Sequence, residues 1–174
     1  PFTLTESGTY TLLLKATTEV TGNYGFRLID VSQSPVVTVG FDTPVNGTNF
    51  PASSASVYRF SGTVGQRLFF DGTGTNAGIW QLYAPDNSNP FSYASLDGDF
   101  EATLPQSGTY LLVAGNLNET NAASFSFRIV TPTTTTNALT FAATVNGTLD
   151  EPGEEDRFTF TGSAKVRFND TTAD

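Results

Sequence analysis

Apolar and polar positions alternate over short runs along most of the chain. In "SVYRFSG" (56–62), Val57 and Arg59 fall on one face and Tyr58 and Phe60 on the other. That period of two marks a strand with one buried face. "TYTLLLKA" follows a Ser-Gly turn, while "QRLFFDG" and "GIWQLYAPD" are short runs ended by Asp-Gly and Pro-Asp-Asn, residues that favour turns. "FEATL", "YLLVAG", "SFSFRIV" and "LTFAATV" complete the set of predicted strands. No segment carries a 3.6-residue apolar stripe. Short strands separated by turn signals predict an all-β chain of antiparallel sandwiches, jelly-roll or immunoglobulin-like.

The pattern also recurs. "LTESGTYTLLLK" (4–15) returns as "LPQSGTYLLVAG" (104–115), "PVNGTNF" (44–50) as "TVNGTLD" (144–150), and "VYRFSG" (57–62) as "RFTFTG" (157–162). "YGFRLIDV" (24–31) returns as "FSFRIVTP" (125–132), with a slip of one residue. A period of about 100 residues over separate blocks predicts tandem units, each large enough to be a domain. On this reading residues 38–130 are a complete sandwich, 1–37 the C-terminal half of a unit, and 131–174 a linker and the N-terminal half of another. The two halves together lack the equivalents of 75–100, so the chain reads as a window on a longer array. A unit of this size buries roughly 60 to 70% of its unfolded surface, enough for a core without staples. The bridges "VSQSP" (31–35) and "TPTTTTN" (131–137) read as extended spacers.

Composition narrows the chemistry. The chain has no Cys, His or Met. Disulfides, thiolate metal sites and the Ser-His-Asp and Cys-His arrangements are therefore absent from this sequence. Eight Lys and Arg stand against seventeen Asp and Glu, a net charge of −9. That balance disfavours nucleic acid, whose binding rests on basic neutralisation of phosphates. It equally disfavours anionic membrane surfaces. No apolar run approaches the roughly 18 residues of a spanning helix.

The order of elements then resembles a family. An acidic stretch precedes "DRFTFTG"; "RLFFD", "IWQLYAPD" and "LPQSGTYLLVAG" follow, and "FSFRIV" closes the unit. This resembles the bacterial pre-peptidase C-terminal domain family, with "SGTYLLVAG" the most characteristic piece. The resemblance implies a non-catalytic, secreted β-sandwich beside an enzyme or within a large extracellular repeat protein. In collagen-binding members, acids before the "DRFTFTG"-type strand and after the next one hold calcium. Carried over, the ligands are Glu154, Glu155, Asp156 and Asp170, with Asp150, Glu151 and Asp174 nearby. Calcium takes about six to eight oxygens in irregular loops, which suits such a cluster. The equivalent stretch of the complete unit, "NFPASSASVYRF", has no acid. The alternative is a solvated acidic loop.

Three further groups of residues stand out. Asp97, Asp99 and Glu101 in "LDGDFE" read as a turn, since the EF-hand spacing is not met. Trp80, Tyr83, Phe91 and Tyr93 read as core, with a carbohydrate platform as the alternative if Trp80 is exposed. Asn46, Asn118, Asn146 and Asn169 each begin an N-x-T sequon and are candidate glycan acceptors on loops. Tyr10 and Tyr110 read as structural, each opening a strand after a Ser-Gly turn. The expected core includes Phe60, Tyr110, Leu112, Phe125 and Phe127.

The function these features predict is non-catalytic and extracellular or at the cell surface: a tandem-repeat filament, matrix or adhesin stalk that polymerises by strand complementation. The expected partners are then copies of itself or neighbouring repeats. The alternative is an accessory module of a secreted enzyme that binds polysaccharide or protein and is stabilised by calcium.

Overall fold

A computed structural model describes residues 7–17, 19, 21–26, 28, 36–49, 54–74, 78–116, 121–163 and 165–168. Among these there is no helix. The chain divides into two compact units, Pro1–Thr131 and Pro132–Asp174.

Among the described residues the first unit holds nine strands: β1 (Val37–Thr38), β2 (Val45–Asn49), β3 (Ala55–Gly62), β4 (Arg67–Gly72), β5 (Gly78–Tyr83), β6 (Phe91–Ser95), β7 (Phe100–Thr103), β8 (Gly108–Asn116) and β9 (Ala123–Val130). They form two sheets, ordered β1-β3-β8-β5-β6 and β2-β9-β4-β7. The ladders are nested: β2 pairs with β9, β3 with β8, β4 with β7 and β5 with β6, all antiparallel. Such nesting is the double Greek-key order of a jelly roll. Each of these ladders joins the first half of the unit to the second. The sheets are not wholly antiparallel, because β1 lies parallel to β3, Val37 opposite Tyr58.

The inward faces follow the period of two read from sequence. In β5, Gly78, Trp80 and Leu82 are buried, and Ile79, Gln81 and Tyr83 are half-buried. Tyr58, Phe60, Trp80, Leu82, Tyr110 and Leu112 from one sheet meet Leu68, Phe70, Phe125, Phe127 and Ile129 from the other. Rings cross the interface edge-on, Trp80 to Phe127 at 4.9 Å and Tyr58 to Phe127 at 5.1 Å between centroids. These are favoured aromatic geometries. All five residues expected in the core are there. Tyr110 donates its hydroxyl proton to the carbonyl of Gln106 at 2.7 Å and accepts from the Gln106 N–H at 3.2 Å. The Ser-Gly turn before it thus ends in a bonded corner, with the ring in the core. Gly108 in that turn has φ 144°, which a side chain would strain.

Residues 7–17 and 21–26 carry no strand, although "TYTLLLKA" was expected to form one. The physical reason is the nesting. A strand forms by pairing its backbone, and the matching residues of β8 and β9 pair with β3, β2 and β4 of their own unit. Among the described residues no ladder forms on 7–17, and Leu12, Leu13, Tyr24, Phe26 and Leu28 are exposed. The bridge "VSQSP" lies outside the described residues.

The second unit holds β10 (Thr134–Ala138) and β11 (Glu155–Thr159), paired in parallel. The Thr tract read as a spacer is thus a strand from Thr134 onward. β-Branched Thr suits a pleated surface once a partner is present. "LTFAATV" was expected to be a strand but is a turn, with Ala143 N–H bonded to Thr140 O at 3.2 Å and Ala142 at φ 62°.

Candidate functional site

The acids proposed as metal ligands are engaged in the fold's own bonds. The turn from Glu151 to Glu154 closes with a backbone bond of 3.1 Å. Glu154 folds back over it, its Oε2 accepting from the N–H of Asp150 at 2.6 Å and of Glu151 at 3.2 Å. Glu151 accepts from the Thr133 N–H at 2.7 Å and so ties the turn to the start of β10. Glu155 and Asp156 are adjacent on β11 and project to opposite faces. Glu155 pairs with Arg157 at 2.6 Å, and Asp156 accepts from the Thr135 hydroxyl. Asp170 and Asp174 lie outside the described residues. Among the described residues no three acids converge into a group that could hold a metal ion. The expected calcium set is therefore not brought together among them. The stretch caps a turn, because a carboxylate three or four residues from free backbone N–H groups is their nearest acceptor.

The second acidic group is also structural. "LDGDFE" is the turn joining β6 to β7. Asp97 accepts from the Ser95 hydroxyl, and Asp99 from the Gly72 N–H at 2.9 Å. Glu101 grips Arg67 through two bonds of 2.6 and 3.0 Å. Gly72 admits this close approach, since a Cβ there would stand 2.8 Å from the carbonyl oxygen of Gly98.

The aromatic group divides. Trp80 is 1% exposed and lies in the core. Among the described residues its indole N–H has no hydrogen-bond partner. Phe91 stacks on Phe100 at 3.9 Å and closes the sandwich between the edge strands β6 and β7. Tyr83 is half-buried, its hydroxyl donating to Gln81 at 3.3 Å. The side chain of Tyr93 lies outside the described residues. With Trp80 inside, the platform reading loses its largest ring.

What sequence reasoning missed is a groove on the outer face of the four-stranded sheet. Asn46, Thr73, Gly74, Ser124, Phe125 and Ser126 line it, around about 300 Å³. β2 contributes Asn46 and Thr48, and β9 contributes Ser124 and Ser126 directly opposite them. Thr48 and Ser124 hydroxyls stand 3.3 Å apart, and Thr73 and Ser126 hydroxyls 2.6 Å apart. Gly74 lets the chain after β4 lie against β9, because a Cβ there would stand 2.7 Å from the Ser126 nitrogen. Farther along the face Arg128 donates to Asp71 at 2.6 and 2.9 Å. The result is a row of short hydroxyls and an amide, open to water. Only the alternation of Ser and Phe in "SFSFRIV" hinted at it.

Asn46 is exposed on this face, but on a strand and not the expected loop. Gly47 keeps it there: the Phe125 ring occupies the space a Cβ would need. Asn-Gly here serves packing and not a turn. Asn146 lies in exposed, irregular chain. Asn118 and Asn169 lie outside the described residues.

No helix among the described residues is long and apolar enough to cross a membrane. No family model and no curated protein matches the chain. Solved structures similar to it include the periplasmic inhibitor of g-type lysozyme PliG from Aeromonas hydrophila, 18% identical, over 55% of this chain and 94% of that one, with a TM-score of 0.48. The PliG of Salmonella Typhimurium is 25% identical over 54% and 95%, with a TM-score of 0.42. The pre-peptidase C-terminal domain of collagenase from Bacillus anthracis is 12% identical over 56% and 96%, also with a TM-score of 0.42.

Proposed function

We propose that this chain is a non-catalytic, extracellular β-sandwich binding module that holds polysaccharide on the outer face of its four-stranded sheet. The observation that carries this is the hydroxyl-lined groove of Asn46, Thr73, Ser124 and Ser126. A row of short side-chain donors and acceptors in water suits a ligand that is itself a row of hydroxyls. Every carboxylate singled out from sequence and described in the structure holds a hydrogen bond or an ion pair within the fold. With no His or Cys in the sequence, no nucleophile–base pair of the Ser-His or Cys-His type can assemble. The test is co-sedimentation of the chain with cellulose, chitin and an insoluble β-glucan. Retention on at least one, lost in Ser126→Arg without loss of folding, is the expected result. No retention on any of them, or retention indifferent to Ser126→Arg, overturns the reading.

A second reading, a structural array of such units, is favoured by a separate observation. The second unit repeats the opening geometry of the first with every residue number raised by 100. Val37 opposite Tyr58 becomes Asn137 opposite Phe158. The Val39 N–H bond to Arg59 O (3.0 Å) becomes Leu139 N–H to Thr159 O (2.7 Å). Phe41 edge-on to Phe60 at 5.9 Å becomes Phe141 on Phe160 at 5.5 Å. The left-handed Asp42 (φ 58°) becomes Ala142 (φ 62°). Ala rarely adopts that conformation, so its presence supports a shared ancestral turn. Cross-strand nuclear Overhauser contacts between 137 and 158 test this register.

A further inference from the structure

The polar surface of the four-stranded sheet continues past the hydroxyl groove. Every second residue of a strand shares a face. Along β9, Ser124 and Ser126 are followed on that face by Arg128. Along β4 and the residue after it, Thr73 is preceded by Asp71, Phe69 and Arg67. Leu68 and Phe70, between them, lie in the core. The ladders fix the neighbours: Asp71 is opposite Arg128, and Phe69 stands between Val130 on β9 and Glu101 on β7. Phe69 is half-buried and outside the core cluster. An ion pair closes on either side of it, Arg67 with Glu101 and Arg128 with Asp71, each at 2.6 Å.

We infer that Phe69, Asp71 and Arg128 extend the groove into a subsite for a neutral sugar of a polysaccharide chain. Phe69 is the platform for the sugar ring, Arg128 the donor to its hydroxyls, and Asp71 the positioning residue that holds Arg128. A pyranose presents C–H groups on its faces and hydroxyls around its rim. An aromatic ring meets the first by apolar contact, and fixed donors beside the ring meet the second. Nε and Nη2 of Arg128 both donate to Asp71 Oδ2, at 2.9 and 2.6 Å, which fixes the plane of the guanidinium. Among the described residues Nη1 holds no bond. The Arg128 side chain is 36% exposed and that of Asp71 13%, so the arginine is the member of the pair that a ligand reaches. A donor already held in place loses little freedom when the ligand arrives.

Charge selects the sugar. Asp71 matches the charge of Arg128, Glu101 matches that of Arg67, and the chain as a whole carries −9. A uronate would bring its carboxylate against Asp71 and Glu101, and like charges repel. Uncharged hydroxyls meet no such cost. Spacing favours a chain over a single sugar: at roughly 3.3 Å per residue, Phe69 and Thr73 stand about 13 Å apart along the strand, farther than one pyranose ring reaches.

The inference rests on the polysaccharide reading above, and the experiment separates the two. The chain is run in native gels containing hydroxyethyl cellulose, laminarin or polygalacturonate, and its retardation is read against polymer concentration. At least one neutral polymer is expected to retard it, and polygalacturonate to leave it unretarded. Phe69→Ala should weaken neutral-polymer binding by about tenfold or more, as loss of a central aromatic contact does. Phe69→Tyr should keep it. Asp71→Asn leaves the Arg128 charge unmatched, so retardation by polygalacturonate should appear where the unmodified chain has none. A merely structural Asp71 would not change which polymer is held. Arg128→Lys keeps the charge and loses the planar fork, and should weaken neutral-polymer binding whether or not Asp71→Asn folds. Urea midpoints establish that each variant is folded. Neutral-polymer binding undiminished in Phe69→Ala or Arg128→Lys, but abolished in Ser126→Arg, overturns the subsite and leaves the groove reading standing. A folded Asp71→Asn that still ignores polygalacturonate overturns the role given to Asp71. Stronger retardation of the unmodified chain by polygalacturonate than by the neutral polymers overturns the choice of sugar. An unmodified chain that no polymer retards overturns both readings.

Discussion

Ser-Gly-Thr-Tyr stands at 7–10 and again at 107–110, yet Tyr10 is 52% exposed and Tyr110 is 0% exposed. Around Tyr110 the nested ladders bring β3 alongside, and the ring stacks on Phe60 at 5.4 Å. Around Tyr10 the same local residues carry no strand. The comparison teaches that the phrase encodes a turn and an inward ring, while the strand itself depends on its partner. A jelly roll makes this dependence acute, because each half of the sequence supplies the edge that the other half needs.

The largest expected contrast is in core truncation. Trp80→Ala should destabilise the first unit by about 3–5 kcal/mol, through lost transfer energy and the cavity left behind. Tyr24→Ala, in the exposed flank, should change stability by less than about 0.5 kcal/mol. Urea unfolding of both variants checks the pair. A loss above 1 kcal/mol for Tyr24→Ala, about twice that surface limit, would break the comparison.

Glycines give the next contrast. Gly74→Ala places a Cβ 2.7 Å from the Ser126 nitrogen, and backbone there cannot move aside cheaply. A cost of about 1–3 kcal/mol is expected. Gly8→Ala meets nothing within 4 Å, and should be neutral or stabilise by up to about 1 kcal/mol through a less flexible unfolded chain. Thermal melts of the two variants side by side test the difference.

Titration sharpens the same comparison. Burial pushes the Tyr58 hydroxyl above its ordinary 10.0, against a smaller opposite effect of its bond with Ser56. The folded chain therefore keeps this proton after the unfolded chain has released it. The stability linked to Tyr58 is complete below 10.0 and falls as pH rises from there through the folded value. Tyr58→Phe should flatten that alkaline loss, read as urea midpoints across the alkaline range. No flattening would show that other groups carry it.

The smallest effect is expected at the surface. Glu101 and Arg67 are 41% and 24% exposed, so Glu101→Gln should cost less than about 1 kcal/mol despite the two-pronged geometry. A double-mutant cycle with Arg67→Gln isolates the pair. A coupling well above that value would mean that solvent screens this face less than its exposure implies.

By itself the sequence determined the class of structure. The period of two placed Tyr58, Phe60, Trp80 and Leu82 on inward faces, and "SGTY" marked the corner. These are local properties, because alternation and turn chemistry are written within a few residues. Tertiary structure alone decided which runs became strands, since "YTLLLK" and "YLLVAG" differ in outcome and hardly in pattern. It also turned Asn46-Gly47-Thr48 from a supposed loop into an edge strand, through the ring of Phe125. The carboxylates divide the same way: Glu154 accepts from the N–H groups of Asp150 and Glu151 within its own turn, while Asp99 meets the Gly72 N–H only because β4 pairs with β7. The hydroxyl groove was hidden for that reason too, as Asn46, Thr73 and Ser126 lie far apart along the chain and meet only where β2, β9 and the end of β4 lie side by side.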